Sequence, residues 1–370
     1  MCQPILKKDF VKSKVKWKIK DLKWKKVLIL RADRFGDICV SRPFIFCLYD
    51  RWANVDIWIK KDYLWLIDLL NSYFGISIWK KFFNLSNWDI YFSYDWEVGK
   101  HFEKLVRFVF SFDFFRLLRL FWHYDIVIDL VGRRRFQIVM LIVKVLKKII
   151  WKNFKTGVLF RNITNIWHDV VLYRGDDKNL AEQYLMILDD SIERFLKKIE
   201  IWKNRFLFKS VVIHIWYGWE QSRNWWLDNW TYLIKYLSSK WLEIFVVYTD
   251  MESEWDKLKQ IFEKKVKFIK NPTFDEFFSL LEKVDFYIGV DSGPFHLADL
   301  LWKKGIVLFS RENEKVRWSF TKKILIVKKF RWVCLRRDCK DNYCIRLIKP
   351  DDIIKVLENK IFRKWENINL

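Results

Sequence analysis

Short runs of apolar residues alternate along the chain with longer segments typical of helices. The first run, residues 26–30, is followed by a polar loop and then by an apolar segment that starts at Pro43, which predicts a strand, a loop and a helix. The same order recurs several times. Further strands are predicted at 124–130, 211–214, 242–248, 286–290 and 305–309, and further helices at 138–150, 229–240, 252–265 and 351–365.

Strands that alternate with helices predict parallel βαβ units, and two such series predict two doubly wound α/β domains. A charged segment between Glu193 and Lys209 separates the two series. We therefore predict an N-terminal Rossmann-like domain at 1–195, a second Rossmann-like domain at 205–345 and a C-terminal helix at 346–370. The 370 residues, of which 52% are hydrophobic, are enough to form two cores.

The charge of the chain predicts an anionic partner. Lys and Arg number 69 against 45 Asp and Glu, a net charge of +24, which suits nucleic acid, anionic lipid or a phosphorylated substrate. No apolar stretch reaches the roughly 18 residues of a membrane span, and the Lys-rich start contains no apolar core of a signal peptide. Six cysteines are few for this length and indicate a reducing compartment. We therefore expect a cytoplasmic protein.

The numbers of Gly and Trp are unusual. Average usage of roughly 7% predicts about 26 Gly in a chain of this length, whereas the chain has 10 Gly and 23 Trp. Abundant Lys, Ile, Phe, Asn and Tyr indicate an A/T-rich genome. We interpret many of the Trp as UGA codons that the source organism reads as glycine, and part of the positive charge then reflects codon bias.

Two loops at predicted strand ends carry candidate chemistry. The loop 31–37 contains Gly36, which permits a sharp turn, and Asp37, which serves either as a catalytic base or as the cap of the following helix. The loop 290–296 places Asp291, Ser292 and Gly293 before a helix and His296 one turn into it. Free N–H groups, a hydroxyl and an imidazole together suit a diphosphate. The chain lacks the glycine patterns of P-loop and dinucleotide-binding proteins, which disfavours those classes.

Both loops resemble signatures of the heptosyltransferase family, glycosyltransferase family nine. Residues 27–45 resemble its amino-terminal signature and 287–298 its donor-site signature, while 125–133 and 212–225 resemble its middle strand and its phosphate-binding turn. The cysteines near the C-terminus also recur in many members. The resemblance runs over residues 27–357 in the family's order, although the turn after His214 lacks the family's proline and Asn224 replaces a residue that is usually basic.

This resemblance implies a GT-B architecture, in which two Rossmann-like domains face a central cleft, the first binding the acceptor and the second the nucleotide sugar. It implies that the protein transfers a sugar such as heptose from an ADP-heptose-like donor to a lipopolysaccharide-core or other cell-envelope glycan. The implied transfer inverts the sugar's configuration and uses no metal or other cofactor. Asp37 matches the general base. The other implied site residues are Arg223, Glu252, Asp291, Ser292, Gly293 and His296 on the donor side, and Arg34 and Arg133 on the acceptor side. A lone His214 on a strand is interpreted as a packed residue.

The resemblance also sharpens the glycine hypothesis. Trp216, Trp241 and Trp302 stand where the family has glycine in turns or after helices, whereas Trp225 stands on a family tryptophan. A bulky side chain suits such turn positions poorly. We therefore predict glycine at the first three positions in the protein as its host makes it.

Three alternatives concern partners and metal. The segments 102–122 and 139–152 mix apolar and basic residues, so they either lie on the anionic inner face of the cytoplasmic membrane or pack as ordinary amphipathic helices. Cys334, Cys339 and Cys344 are spaced more widely than zinc ligands usually are, so no metal site is predicted. Two alternative functions stay open. The positive charge and the aromatic content favour a basic nucleic-acid-binding protein, and the other alternative is an inactive transferase homologue.

Overall fold

The computed structural model divides the chain into two compact units, one at residues 11–197 and the other from residue 198 onward. The residues that it describes are 14–15, 19, 22–31, 35–59, 63, 79–80, 112–130, 134–149, 155–160, 170–173, 178–199, 208–215, 223–240, 242–249, 259, 262, 266–310, 319–329 and 343–362.

The first unit is built on a seven-stranded sheet. Its strands are β1 (Lys14–Val15), β2 (Lys26–Leu30), β3 (Asn54–Trp58), β4 (Trp79–Lys80), β5 (Ile126–Asp129), β6 (Lys155–Phe160) and β7 (Val170–Tyr173). They are arranged in the order β1-β7-β6-β5-β2-β3-β4, and all neighbours are parallel except β1 and β7. The interior strand β2 is buried from Val27 to Leu30, as expected of a parallel sheet covered on both faces.

The described helices of the first unit are α1 (Phe35–Asp50), α2 (Phe112–Trp122), α3 (Arg134–Ile149), α4 (Leu180–Leu185) and α5 (Ile192–Ile199), with a short 3₁₀ turn at Met186–Leu188. Helices α2 and α3 pack beside β5 through a common apolar core. That core contains Leu117, Leu120, Phe121, Val139, Met140 and Val143. Helix α4 begins with a capping box at Asn179 and Glu182, which explains its sharp start.

The second unit contains a six-stranded, fully parallel sheet in the order β10-β9-β8-β11-β12-β13. Its strands are β8 (Ser210–His214), β9 (Glu243–Tyr248), β10 (Val266–Lys270), β11 (Phe286–Val290), β12 (Lys304–Leu308) and β13 (Ile324–Val327). Its described helices are α6 (Leu227–Ser238), α7 (Phe274–Lys283), α8 (Gly293–Leu300), α9 (Tyr343–Arg346) and α10 (Pro350–Leu357), the last continuing into a π-helical turn at Glu358–Phe362.

The α/β class and the parallel sheets predicted from the sequence are confirmed. One boundary was wrong, because α1 begins at Phe35 rather than at Pro43, which lies inside the helix. A proline interrupts one helical hydrogen bond, but burial of Ile38, Phe44 and Leu48 offsets that loss. The predicted helix at 252–265 falls almost wholly outside the described residues.

Across the described ranges, no helix is both long enough and apolar enough to span a membrane.

Candidate functional site

One candidate site lies in the first unit, at the carboxyl end of β2. The strand ends at Leu30, and Asp37 lies in the first turn of α1 rather than in a loop before the helix, which corrects the expectation from the sequence. Its side chain is 17% exposed. A carboxylate in the first turn of a helix is stabilised by the helix dipole. Asp37 therefore sits at the edge of the sheet where open α/β folds place their ligands.

Arg31 holds this turn. Its backbone N–H donates to the carbonyl of Trp58 on the neighbouring strand, which directs the side chain toward the helix start. Its Nε and Nη2 donate to the carbonyl oxygen of Asp37, at 3.2 and 3.1 Å. The hydroxyl of Ser41 donates to the same oxygen at 2.8 Å. The main chain at Asp37 is thus held by three side-chain hydrogen bonds.

A separate candidate site lies in the second unit, at the carboxyl end of β11. Asp291 follows the strand, Ser292 is the N-cap residue of α8, and Gly293 is the first helical residue. Ser292 makes no side-chain cap, because its hydroxyl donates to the carbonyl of Val290 at 3.2 Å. Ser292 therefore does not cap the first-turn N–H groups of Gly293 and Phe295, while Pro294 has none, and an anion is the ligand that a helix N-terminus favours.

Two further predicted residues join this loop. The Arg223 guanidinium Nη2 lies 3.8 Å from Oδ2 of Asp291, and both side chains are largely buried. His296 lies one turn into α8, where its buried ring packs 4.5 Å from the ring of Phe295. The structure thus pairs Arg223 with Asp291, and Ser292, Gly293 and His296 follow along the same loop and the first turn of α8, all within the second unit.

The description "Glycosyltransferase family 9 (heptosyltransferase)" belongs to the family model that matches residues 119–343, more than half of the chain. The chain belongs to this family. No curated protein sequence is significantly similar to it. The chain is a glycosyltransferase, and the sequence-based identification of the family is confirmed.

Solved structures of heptosyltransferases share the fold of this glycosyltransferase. The E. coli ADP-heptose lipopolysaccharide heptosyltransferase II matches with a TM-score of 0.61 and 11% identity, covering 92% of this chain and 99% of its own. The E. coli heptosyltransferase WaaC with ADP matches at 0.59 and 12%, covering 90% and 99%. A family 9 glycosyltransferase from Veillonella parvula matches at 0.60 and 12%, covering 91% and 97%. The predicted α/β fold with parallel sheets thus matches that of GT-B heptosyltransferases.

Beneath the second loop of the glycosyltransferase lies a buried aromatic layer. Tyr287 packs with its ring 6.5 Å from that of His214, and Gly289 leaves room for the Tyr287 hydroxyl, which a Cβ at this position would strike. Burial, reinforced by the charge of Asp291, raises the pKa of Tyr287 and keeps the phenol protonated. Burial lowers the pKa of His214 to about 3, so its imidazole is neutral. His214 is therefore a packed residue, as the sequence indicated.

Asp299 anchors α8 from its other end. Its carboxylate accepts hydrogen bonds from the hydroxyls of Ser319 and Thr321 and from the backbone N–H of Phe320, the last at 2.9 Å. Full burial raises the pKa of Asp299 to about 6, and these hydrogen bonds oppose the rise. The segment before β13 thus fixes the helix that carries Gly293 and His296.

Several predicted residues lie outside the described part of the chain. They are Arg34, Arg133, Glu252, Trp216, Trp241, Cys334 and Cys339. Conversely, Arg31, Tyr287 and Asp299 support the site, and sequence reasoning missed them. Arg31 and Tyr287 lie in the motifs at 27–45 and 287–298. A charged or bulky side chain at a buried strand was the signal that could have identified them. Asp299 carries no such signal, because its partners are some twenty residues away.

Proposed function

We propose that this glycosyltransferase moves heptose, with inversion and without a metal ion, from ADP-heptose to a lipopolysaccharide-core or other cell-envelope glycan. The observation that carries the proposal is the loop from Asp291 to His296, where a helix N-terminus without a side-chain cap lies beside Arg223. A leaving diphosphate needs several donors and a positive charge. The first-turn N–H groups, Arg223 and His296 supply them.

Two observations support the proposed donor: the charges at the start of α8 and the molecules bound in solved relatives. Solved relatives contain ADP, ADP-2-deoxy-2-fluoro heptose or ADP-D-beta-D-heptose. In this chain, Asp291 holds Arg223, and the pair presents the guanidinium beside the start of α8. The two negatively charged phosphates of ADP-heptose suit this guanidinium and the N–H groups of the helix start.

Asp37 is the proposed base. Its carboxylate takes the proton of the acceptor hydroxyl as that oxygen bonds to the anomeric carbon, and the bond from this carbon to the diphosphate oxygen breaks on the opposite face. The departing electron pair stays on the diphosphate. One displacement at one carbon inverts its configuration. The acceptor hydroxyl must lie within hydrogen-bond reach of the carboxylate.

We further propose that the acceptor side contacts an anionic membrane through α2 and α3. Ile149 is 67% exposed and Phe115 60%, and Val145 is also exposed. Exposed Lys148 and Arg119 accompany them. Interleaved apolar and basic side chains on exposed helical faces suit the headgroup region of a bilayer.

Donor binding tests the proposal. Saturating ADP or ADP-heptose in EDTA should raise the thermal midpoint, since a ligand at about 100 times its Kd stabilises a fold by roughly 2.7 kcal/mol. The Arg223→Ala/His296→Ala variant should lose most of this shift. An Arg194→Ala/His123→Ala variant, which removes the same residue types from exposed positions of the other unit, should keep it.

Two results would contradict the proposal. An equal shift in the Arg223→Ala/His296→Ala variant would remove those residues from the donor site, and a shift that appears only with Mg²⁺ would exclude metal-independent binding. Transfer is then measured as ADP release from ADP-heptose with truncated lipopolysaccharide, and the anomeric configuration of the product by NMR. Retention of configuration would exclude the single displacement at Asp37.

A further inference from the structure

Arg31 is buried in the first unit and makes contacts to two elements. Its side chain is 2% exposed. Two of its N–H groups donate to the carbonyl of Asp37 in α1, and Nη1 donates to the carbonyl of Leu130, just beyond β5, at 2.6 Å. One guanidinium therefore joins the carboxyl end of β5 to the first turn of α1.

The same guanidinium faces the Asp37 carboxylate. Its Nη2 lies 3.5 Å from Oδ1 of Asp37, and its central carbon lies 5.4 Å from the centre of the Tyr184 ring. A buried cation requires compensating charge and fully used donors. Lysine would keep the charge, but it lacks the planar fork that reaches two carbonyls and a carboxylate together.

We propose that Arg31 is the positioning residue of Asp37: it holds both the main chain and the carboxylate of the base in line for the acceptor hydroxyl. This inference rests on the proposed function, because it assigns Arg31 a role through the proposed base. A displacement of about 1 Å at a reacting group costs on the order of a hundredfold in rate. The fork of Arg31 opposes such a displacement by tying α1 to β5.

The test is Arg31→Lys, with steady-state ADP release from ADP-heptose as the assay. We expect kcat to fall by roughly 10–100-fold, with the KM for ADP-heptose and the ADP-induced thermal shift unchanged, since the donor site lies in the other unit. Arg51→Lys is the matched control, because it alters an arginine that pairs with Asp190 at 3.0 Å in the same unit. It should keep the kcat of the parent enzyme.

A double-mutant cycle separates positioning from mere stability. In an Asp37→Asn background, Arg31→Lys should lower the remaining rate by less than about twofold, since the effects of substitutions at residues that act together do not add. An equal loss in both backgrounds, or a parental kcat for Arg31→Lys, would overturn the inference. If the lysine variant does not fold, Arg31→Gln is measured in the same cycle. A parent enzyme that releases no ADP would instead overturn the proposed function.

A second inference rests on a different observation, the backbone at four tryptophans. Trp24, Trp52, Trp226 and Trp302 have φ values of 62°, 61°, 56° and 59°. The other described residues with positive φ, apart from any glycine, are Asp189, Asn271 and Lys322. Asn and Asp tolerate this conformation, but a Cβ-bearing aromatic residue is strained in it.

Two of these tryptophans occupy the residue after a helix C-cap. After α8, the N–H of Trp302 donates to Asp299 and that of Lys303 to Ala298, at 3.1 and 3.0 Å. After α1, the N–H of Trp52 donates to Tyr49 and that of Ala53 to Leu48, at 2.8 and 3.3 Å. This pair of bonds defines the Schellman motif, whose left-handed residue is usually glycine.

The other two lie in turns that favour glycine. The N–H of Lys25 donates to the carbonyl of Leu22 at 3.0 Å, so Trp24 is the third residue of a β-turn, where a positive φ calls for glycine. Trp226 precedes α6 with φ 56° and ψ 144°, close to a region that essentially only glycine adopts.

Other tryptophans behave as authentic core residues. Trp58, Trp225 and Trp230 are buried, and none has positive φ. The indole N–H of Trp225 donates to the carbonyl of Ile348 at 2.7 Å, and its ring packs edge-on against that of Trp230. By contrast, Trp24 and Trp52 are 64% and 66% exposed. Backbone conformation thus separates these three tryptophans from the four with positive φ.

We infer that positions 24, 52, 226 and 302 are glycine in the protein that the host makes, encoded by UGA, whereas Trp58, Trp225 and Trp230 are tryptophan. Replacing the four together with glycine should raise the thermal midpoint by on the order of 10 °C, because it relieves left-handed strain at each position. The control Trp58→Gly/Trp225→Gly/Trp230→Gly should lower it.

The coding DNA provides an independent readout. UGA at codons 24, 52, 226 and 302, with UGG at 58, 225 and 230, is the expected result. UGG at the first four codons, or a glycine variant that is no more stable than the tryptophan form, would overturn the inference. The outcome does not depend on the proposed donor or acceptor.

Discussion

Asp37 combines a negative charge, a position in the first turn of α1 and the proposed role of general base. Asp37→Asn keeps the shape of the side chain but removes the negative charge. If Asp37 is the base, transfer should fall by roughly 10²–10⁴-fold, while ADP still raises the thermal midpoint. Without a catalytic role, only stability is lost, through the attraction to the helix dipole, about 0.3–1 kcal/mol, and through the charge pairing with the buried Arg31 guanidinium.

Glu193→Gln is the matched control for this prediction. Glu193 is also an acidic residue in the first turn of a helix of the first unit. Its replacement should cost only the attraction to the helix dipole and leave transfer unchanged. Transfer by Asp37→Asn at more than about a tenth of the parental rate would mean that Asp37 is not the base.

Asp299 predicts a specific dependence of stability on pH. The folded state raises its pKa from 3.8 to about 6, so between these values the folded protein holds a proton that the unfolded chain has released. The contribution of Asp299 to the free energy of unfolding therefore falls as pH rises from about 4 to about 6. His214 acts in the opposite direction, because its folded pKa of about 3 lies below its ordinary 6.5.

Asp299→Asn isolates the first effect. Relative to this variant, the parent protein should lose on the order of 3 kcal/mol of stability between pH 4 and pH 7, as one pKa unit corresponds to about 1.4 kcal/mol. Urea unfolding at several pH values measures the difference. A difference that does not change with pH would show that the carboxylate does not titrate in this range.

At the scale of elements, α2 and α3 combine a buried inner face with apolar side chains on the outside. Val145→Asn/Ile149→Asn should reduce sedimentation with vesicles of phosphatidylcholine and phosphatidylglycerol by about tenfold or more, since burying one such side chain contributes roughly 1.5–3 kcal/mol. Binding by the parent should also weaken as salt is raised.

The control for the vesicle experiment is Tyr232→Asn on α6, which alters an exposed apolar residue of the other unit. It should leave sedimentation unchanged. Equal binding by Val145→Asn/Ile149→Asn and the parent would leave α2 and α3 as ordinary amphipathic helices that pack on the sheet.

At the scale of the whole molecule, each unit has its own sheet and its own core. We therefore expect two transitions in urea unfolding, of which ADP moves only the one that belongs to the second unit. Phe44→Ala, which empties a fully buried site on α1, should lower only the other transition, by about 3–5 kcal/mol. A single transition that ADP and Phe44→Ala both move would show that the units unfold together.

Much of the fold and part of the site were accessible from the sequence because their signals are local. An apolar run such as β2 or β11 has few alternatives to a buried parallel strand, and the loops after them carry Asp37, Asp291 and Ser292. The Gly and Trp counts likewise reflect the demands of individual turns, although only the φ values identified Trp24, Trp52 and Trp226.

Tertiary structure decided what depends on partners distant in sequence. In the sequence, Arg31 is one of many basic residues. Only folding brings the carbonyl oxygens of Leu130 and Asp37 within hydrogen-bond distance of its three donor groups. Asp299 acquires its raised pKa from burial in the folded protein, which outweighs the opposing hydrogen bonds of Ser319 and Thr321. Tertiary structure also decided where α1 begins, because burial of the helix's apolar face outweighed the helix-breaking tendency of Pro43. Charge compensation, desolvation and packing act between elements, and no local pattern of residues encodes them.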